Sequence, residues 1–210
     1  MSALGVRGIH IVFEGPDSAG KSTQIALTEK YLLDQGFDVV LTREPGGTPV
    51  GLMLRKILLD TDIEIDPRAE ALMMAADRAA DVAQVIAPSC EQGRIVLSDR
   101  YIPSSLVYQG VVRGLGVKEV AELSAFAVGE HIPDVILCFD LEDDLARSRA
   151  ASTPDRIEKE GEVFHQQIRE TYRQLAIDES WSVVDARGSQ EEVFARIVDL
   201  ISPHLPNQSV

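Results

Sequence analysis

The sequence predicts an α/β fold: a doubly wound, five-stranded parallel sheet flanked by helices. Three observations carry that expectation: five short apolar runs of strand length, helix-period segments between them, and continuous rather than alternating apolarity within the runs. The runs are Ile9–Phe13, Val39–Thr42, Ile95–Ser98, Val135–Phe139 and Trp181–Asp185. Each is rich in β-branched residues, and an unbroken apolar run suits a strand covered on both faces.

The helices between the runs signal their ends. Ser22–Gln35 stops at Gly36, Arg68–Ala87 stops before Pro88, and Val117–Glu130 stops before Pro133. Ser148–Gly161, SRAASTPDRIEKEG, is small, polar and charged, with too few apolar anchors to join a core, so it reads as a mobile segment. No repeat, low-complexity tract or linker interrupts the chain, and its 210 residues read as one domain, 1–210.

The formal net charge of −14 opposes a general nucleic-acid or anionic-membrane surface, since both are drawn in by a basic field. An anionic ligand therefore requires a local cationic pocket. Two cysteines, Cys90 and Cys138, make no disulfide framework and suit a reducing compartment. The N-terminal MSALGVRGIHIVFEG lacks a signal-peptide pattern, and no apolar stretch approaches the roughly 18 residues of a membrane helix. These features predict a cytoplasmic protein with small-molecule partners.

The first run leads into GPDSAGKS, Gly15–Ser22, which satisfies GxxxxGK[ST] in a strand-loop-helix setting. Glycines permit the tight turn, and N–H groups at the helix start cradle phosphate oxygens. Gly15, Pro16, Asp17, Ser18, Ala19, Gly20, Lys21, Ser22 and Thr23 are thus the expected seat of the ATP phosphates, with Lys21 on the β- and γ-phosphates and Ser22 on Mg²⁺. By itself the loop specifies a nucleotide phosphate and no reaction.

Further motifs accompany it: TREPGGT at Thr42–Thr48, LRKILL at Leu54–Leu59, DRYIPSSLVYQG at Asp99–Gly110 and DRIE at Asp155–Glu158. Together with the phosphate loop they resemble the thymidylate kinase family of P-loop nucleoside monophosphate kinases, over essentially the whole chain. The resemblance implies phosphoryl transfer from ATP to dTMP in a homodimer, the apolar faces of Leu72–Val85 and Val117–Val128 being available for pairing. It implies that Asp17 accepts from the deoxyribose 3′-OH, that Arg55 and Arg100 hold the acceptor phosphate, and that Arg78, assisted by Ser105, bonds the pyrimidine edge. Tyr108 would crowd the position of a ribose 2′-OH, Gln109 would join the dTMP site, and Asp99 would support Mg²⁺.

The resemblance also makes Ser148–Gly161 a short lid over ATP, with Arg147 on its phosphates and Arg149 and Arg156 as catalytic cations. One branch of the family has an arginine where Ser18 stands, so this chain resembles the branch whose lid supplies the cation. Two residues depart from the pattern. Met74 stands where relatives place a phenylalanine that stacks on thymine, and Ala151 where some lids carry another arginine.

Elementary electrostatics asks for a similar set. Opposing phosphates cost about 1 to 4 kcal/mol per unit pair at 4 Å, depending on the local dielectric. Arg43, Arg55 and Arg100, beside predicted strand ends, supply the cations, and arginine's fork grips phosphate in a bidentate manner. No general base is required, because a phosphate monoester has its second pKa near about 6. The histidines His10, His131, His165 and His204 are scattered and read as structural or surface residues. Two other readings stay open: a kinase of another deoxynucleoside monophosphate, motivated by Met74, and a nucleotide-dependent switch without an acceptor pocket.

Overall fold

All five apolar runs become strands in the computed structural model, which describes residues 7–140, 156, 157 and 159–206. They are β1 (His10–Glu14), β2 (Val39–Arg43), β3 (Ile95–Asp99), β4 (Val135–Asp140) and β5 (Ser182–Asp185). Every pairing is parallel and the spatial order is β2-β3-β1-β4-β5. The register sets His10 opposite Val96 and Ile11 opposite Val135, so β1 is central. The chain leaves β1 past one neighbour and later returns to its other side. That reversal opens a crevice at the carboxyl ends of the strands, where α/β proteins bind ligands.

The helices among the described residues are α1 (Lys21–Asp34), α2 (Pro49–Leu59), α3 (Pro67–Asp81), α4 (Ala87–Glu91), α5 (Ile102–Ser105), α6 (Val117–Val128), α7 (Glu162–Asp178) and α8 (Gln190–Ile201). Both sheet faces are covered, as the unbroken apolar runs require. Ile11, Phe13, Leu97, Leu137 and Phe139 pack with Leu32, Val193 and Ile197 on one face. Val12 and Val96 pack with Ile86, Tyr101 and Val128 on the other. His10 is buried on β1 with Nε2 2.7 Å from Ser98 Oγ, and burial, ahead of nearby Arg7, lowers its pKa to about 3. It is a neutral structural residue.

One predicted boundary is wrong. The helix expected to end before Pro88 runs on to Glu91, because a π turn over Val82–Ile86 intervenes. In that turn the Ala87 N–H bonds to Val82 O, five residues back. The wider turn places Pro88 in the first turn of α4, where its missing N–H costs little. A second π stretch, Leu106–Val112, follows α5 and carries Tyr108 and Gln109.

β1 and β4 approach so closely at their carboxyl ends that the residue after β1 has no room for a side chain. Gly15 has φ 129°, and a Cβ there would lie 2.7 Å from Phe139 O. Gly15→Ala is expected to destabilise the fold by about 2 kcal/mol or more from the backbone conformation and crowding together. Urea denaturation measures this, and an unchanged midpoint would refute the account.

Candidate active site

The turn from β1 into α1 requires left-handed backbone at Ser18, φ 64°, and Gly20, φ 91°. α1 begins after Gly20 with neither a side-chain cap nor an acidic residue in its first turn. Its leading N–H groups therefore form a helix end that favours anions. Lys21 is buried there and donates to the carbonyls of Gly15 at 3.0 Å and Pro16 at 2.8 Å. Burial, reinforced by Arg100, lowers its pKa to about 8, against the opposing pull of Asp17, Asp99 and Glu14.

Arg100 leaves β3 with φ 72°, a strained value for a residue with a side chain. Its guanidinium Nη1 is 3.1 Å from each of Gly15 O, Ser104 Oγ and Tyr172 Oη, while Nη2 donates to Asp17. The Tyr108 ring lies 5.5 Å away. Behind this group the buried Glu14 accepts from the N–H of Tyr101 at 2.7 Å, Ser104 Oγ at 2.8 Å and Tyr172 Oη at 3.0 Å. Burial would raise the Asp17 pKa, but Arg100 and Lys21 outweigh it and bring it to about 2.

Two cavities meet at this cluster. The larger, about 440 Å³, is lined by Ser18, Gly20, Lys21, Ser22 and Thr23 and by Arg43, Asp99 and Arg100. The smaller, about 110 Å³, runs from Asp17, Arg100 and Tyr108 to Leu58, Leu59, Glu70, Met74, Gln109 and Ile157. Asp17, Glu44, Arg55 and Arg100 line both. A third cavity of about 240 Å³ adjoins the start of α1, between Gly20, Thr23, Gln24 and Gly188, Ser189, Gln190. Sequence reasoning assigned nothing to that loop. Its one local signal is the capping box of Ser189 and Glu192, which marks a helix start and says nothing of ligands.

Arg78, Ser105 and Arg156 stand behind the cavity linings, Arg78 and Arg156 bonded to the lining residues Glu44 and Glu70. Arg78 is fully enclosed and lines neither cavity at the cluster. It pairs with the buried Glu44 at 2.8 Å and donates to Tyr101 O at 2.9 Å, Ser105 Oγ at 3.1 Å and Ser124 Oγ at 3.2 Å. Ser105, its expected helper at the base, is likewise buried against it. Arg156 is not at the phosphate loop. Its guanidinium donates to Leu58 O at 2.7 Å and to Glu70, at the far end of the smaller cavity. Arg147, Arg149 and Ala151 fall outside the described residues, as does most of the expected lid.

The buried acids around Arg78 brace TREPGGT, whose Gly46 also has φ 117°. Asp77 accepts the Gly46 N–H at 3.0 Å and Asp81 accepts the Thr42 hydroxyl at 2.6 Å. A Cβ on Gly47 would overlap both Thr42 Oγ1 and Asp81 Oδ1. Burial raises the pKa of Asp77 and takes that of Asp81 to about 6. Arg78 is the cation that balances this group.

Residues 13–197 match the family model described as thymidylate kinase. The chain belongs to the thymidylate kinase family. It is 44% identical over 197 residues to the thymidylate kinase of Halothermothrix orenii, covering 91% of this chain and 95% of that protein. It is also 47% identical over 194 residues to the thymidylate kinase of Leifsonia xyli, with 90% and 92% covered. The relative from Finegoldia magna is 42% identical over 195 residues. Members of this family are nucleoside monophosphate kinases, so the chain is a phosphotransferase, and the two cavities that share Arg55 and Arg100 are its candidate active site.

Two expectations follow from the electrostatics. Below pH about 8 the folded chain bears the cost of a buried lysine charge, which is relieved as pH rises between the folded value of about 8 and the ordinary 10.5. A triphosphate brought against Lys21 restores its proton, so ATP binding near pH 8.5 is expected to take up protons, an uptake that fades toward pH 6.5. Calorimetry in buffers of different ionisation heat reads this directly, and no uptake at pH 8.5 would contradict the burial of Lys21. Burial raises the Glu44 pKa to about 8 even beside Arg78. Arg78→Met lets that carboxyl protonate and leaves it, Tyr101 O, Ser105 Oγ and Ser124 Oγ without their donor, at an expected cost of about 3 kcal/mol in urea denaturation. A cost under 1 kcal/mol would remove Arg78 from this structural role.

Proposed function

We propose that the chain transfers the γ-phosphoryl group of ATP to dTMP, yielding ADP and dTDP on the way to dTTP. One observation carries the reading: two cavities share the guanidinium groups of Arg55 and Arg100, one cavity opening on the phosphate loop and the other ending in an apolar wall. That arrangement suits two phosphate-bearing guests with reacting groups turned toward each other. The third cavity, beside Gly188 and Ser189, adjoins the loop on the side away from the acceptor and suits the donor's nucleoside.

In this reading an acceptor phosphate oxygen attacks the γ-phosphorus, the bond to the β,γ-bridging oxygen breaks, and ADP leaves with that electron pair. The attacking phosphate is already largely dianionic at neutral pH, so no side chain need remove a proton. Catalysis reduces to alignment and charge neutralisation. Lys21 and the N–H groups of Gly20–Thr23 hold the donor, and Arg55 and Arg100 hold the acceptor phosphate. Asp17 orients Arg100 and offers its remaining acceptor capacity to the sugar hydroxyl. Tyr108, with Oη 3.4 Å from Asp17 Oδ2, narrows the sugar seat.

Ser22 and Asp99 fit a magnesium ion. Both offer oxygen ligands to the larger cavity, and Asp99 Oδ1 is buried without a hydrogen-bond partner among the described residues. Bound there, Mg²⁺ would neutralise the β- and γ-oxygens.

Exposed apolar residues support a homodimer. Phe126 on α6 is 89% exposed and Met53 on α2 is 68% exposed, with Leu72 of α3 also at the surface. These helices pack on one another, α2 against α3 and α3 against α6. No helix among the described residues is long and apolar enough to cross a membrane, and the proposed compartment is the cytoplasm.

Met74, at the apolar wall, favours a second reading in which another deoxynucleoside monophosphate is the acceptor. A coupled assay with dTMP, dUMP, dCMP and dGMP separates the two, and the first expects dTMP to lead. Arg100→Ala is expected to lower kcat/KM for dTMP by about 10³ or more while ATP still binds. A loss under tenfold would discard the acceptor assignment.

A further inference from the structure

Glu14 is fully buried at the end of β1, one layer behind Arg100, and the proposed chemistry gives it no part. Its Oε1 accepts from the N–H groups of Tyr101 at 2.7 Å and Ser104 at 3.2 Å, and its Oε2 from Ser104 Oγ at 2.8 Å and Tyr172 Oη at 3.0 Å. The same two hydroxyls stand 3.1 Å from Arg100 Nη1. Their sense is fixed. A guanidinium only donates, so each hydroxyl must turn a lone pair to Arg100, which leaves its hydrogen for Glu14. Glu14 and Arg100 are thus joined by two bridges of one hydroxyl each, from α5 and from α7. The ion pair of Arg100 is with Asp17, and among the described residues it makes none with Glu14.

We infer that Tyr172 and Ser104 are positioning residues for phosphoryl transfer: anchored on Glu14, they hold Arg100 Nη1 against the protein and so aim the rest of the guanidinium at the junction of the two cavities. The inference rests on the reading of Arg100 as holder of the acceptor phosphate and deepens it. A direct pair with Glu14 would draw the guanidinium back into the core and offset its charge at short range. An interposed hydroxyl orients it from a longer distance, where the offset is weaker. Gly15 O completes the seat of Nη1 at 3.1 Å, so three acceptors face its two hydrogens. Nη2 stays with Asp17, which lines both cavities as Arg100 does. Of the two supports Tyr172 is the stiffer. Its ring is packed among Leu106, Val107 and Ile168, which fixes where the hydroxyl can stand, whereas a serine hydroxyl can change rotamer.

The test measures kcat/KM for dTMP at saturating ATP, and KM for ATP, in the wild type, Tyr172→Phe and Ser104→Ala, and in each change combined with Arg100→Ala. Tyr172→Phe keeps the packed ring and removes only the hydroxyl. Each single variant is expected to lower kcat/KM for dTMP by about tenfold, the worth of one hydrogen bond to a charged group, with KM for ATP within about twofold of wild type. In the Arg100→Ala background the same changes are expected to alter kcat/KM by less than about twofold, because the residue they act through is gone. A purely structural role would instead lower the folded fraction alike in both backgrounds. A value for Tyr172→Phe within about twofold of wild type, or the same tenfold loss without Arg100, would overturn the inference and leave dTMP phosphorylation standing. A wild type that does not phosphorylate dTMP would overturn the proposed function and this inference with it. Should Tyr172→Phe fail to fold, Ser104→Ala decides the matter by the same comparison.

Discussion

The guanidinium of Arg100 joins parts of the chain that are far apart in sequence. It touches the phosphate loop through Gly15 O and Asp17, α5 through Ser104, and α7 through Tyr172. The αL backbone at Arg100 would be costly in isolation and persists because these contacts, with Glu14 behind them, determine it from several sides. The position of the smaller cavity relative to the phosphate loop therefore depends on this residue. A looser link would let the two seats drift, and in-line transfer tolerates displacements of only about 1 Å.

The surplus of acidic residues looks ill-suited to a protein that handles nucleotides, and the structure resolves this by location. Arg43, Arg55, Arg100 and Lys21 converge on one cavity. Of the acids near them, Asp17 is paired with Arg100, and Asp77 and Asp81 accept hydrogen bonds from Gly46 and Thr42. The four cations thus face one cavity, together with the acids Asp17, Glu44 and Asp99 of the same lining.

Much of this was legible in the sequence because it is local. A strand followed by GPDSAGKS can fold in few ways, and unbroken runs such as Ile95–Ser98 announce a strand buried on two sides. What was missed depends on distant partners. Nothing in the spacing of MMAADR shows that Arg78 is enclosed by Glu44, Tyr101 and Ser124, each from a different segment. The motif containing Arg156 likewise gives no sign that its guanidinium reaches Leu58 and Glu70. Pro88 misled for another reason: proline ends an α-helix by removing one i→i−4 bond, and a π turn just before it supplies a different hydrogen-bond pattern.

The π stretch Leu106–Val112 has a consequence for how this segment can change. Its wider winding holds one more residue than an α-turn of the same height, and each residue in a regular helix turns the side chains by about 100°. Tyr108 and Gln109 therefore owe their aim to the residue count as well as to their identity. Substitutions here alter what is presented to the ligand, whereas a single deletion would rotate the whole wall out of phase, so sequence length in this stretch constrains divergence as strictly as chemistry does.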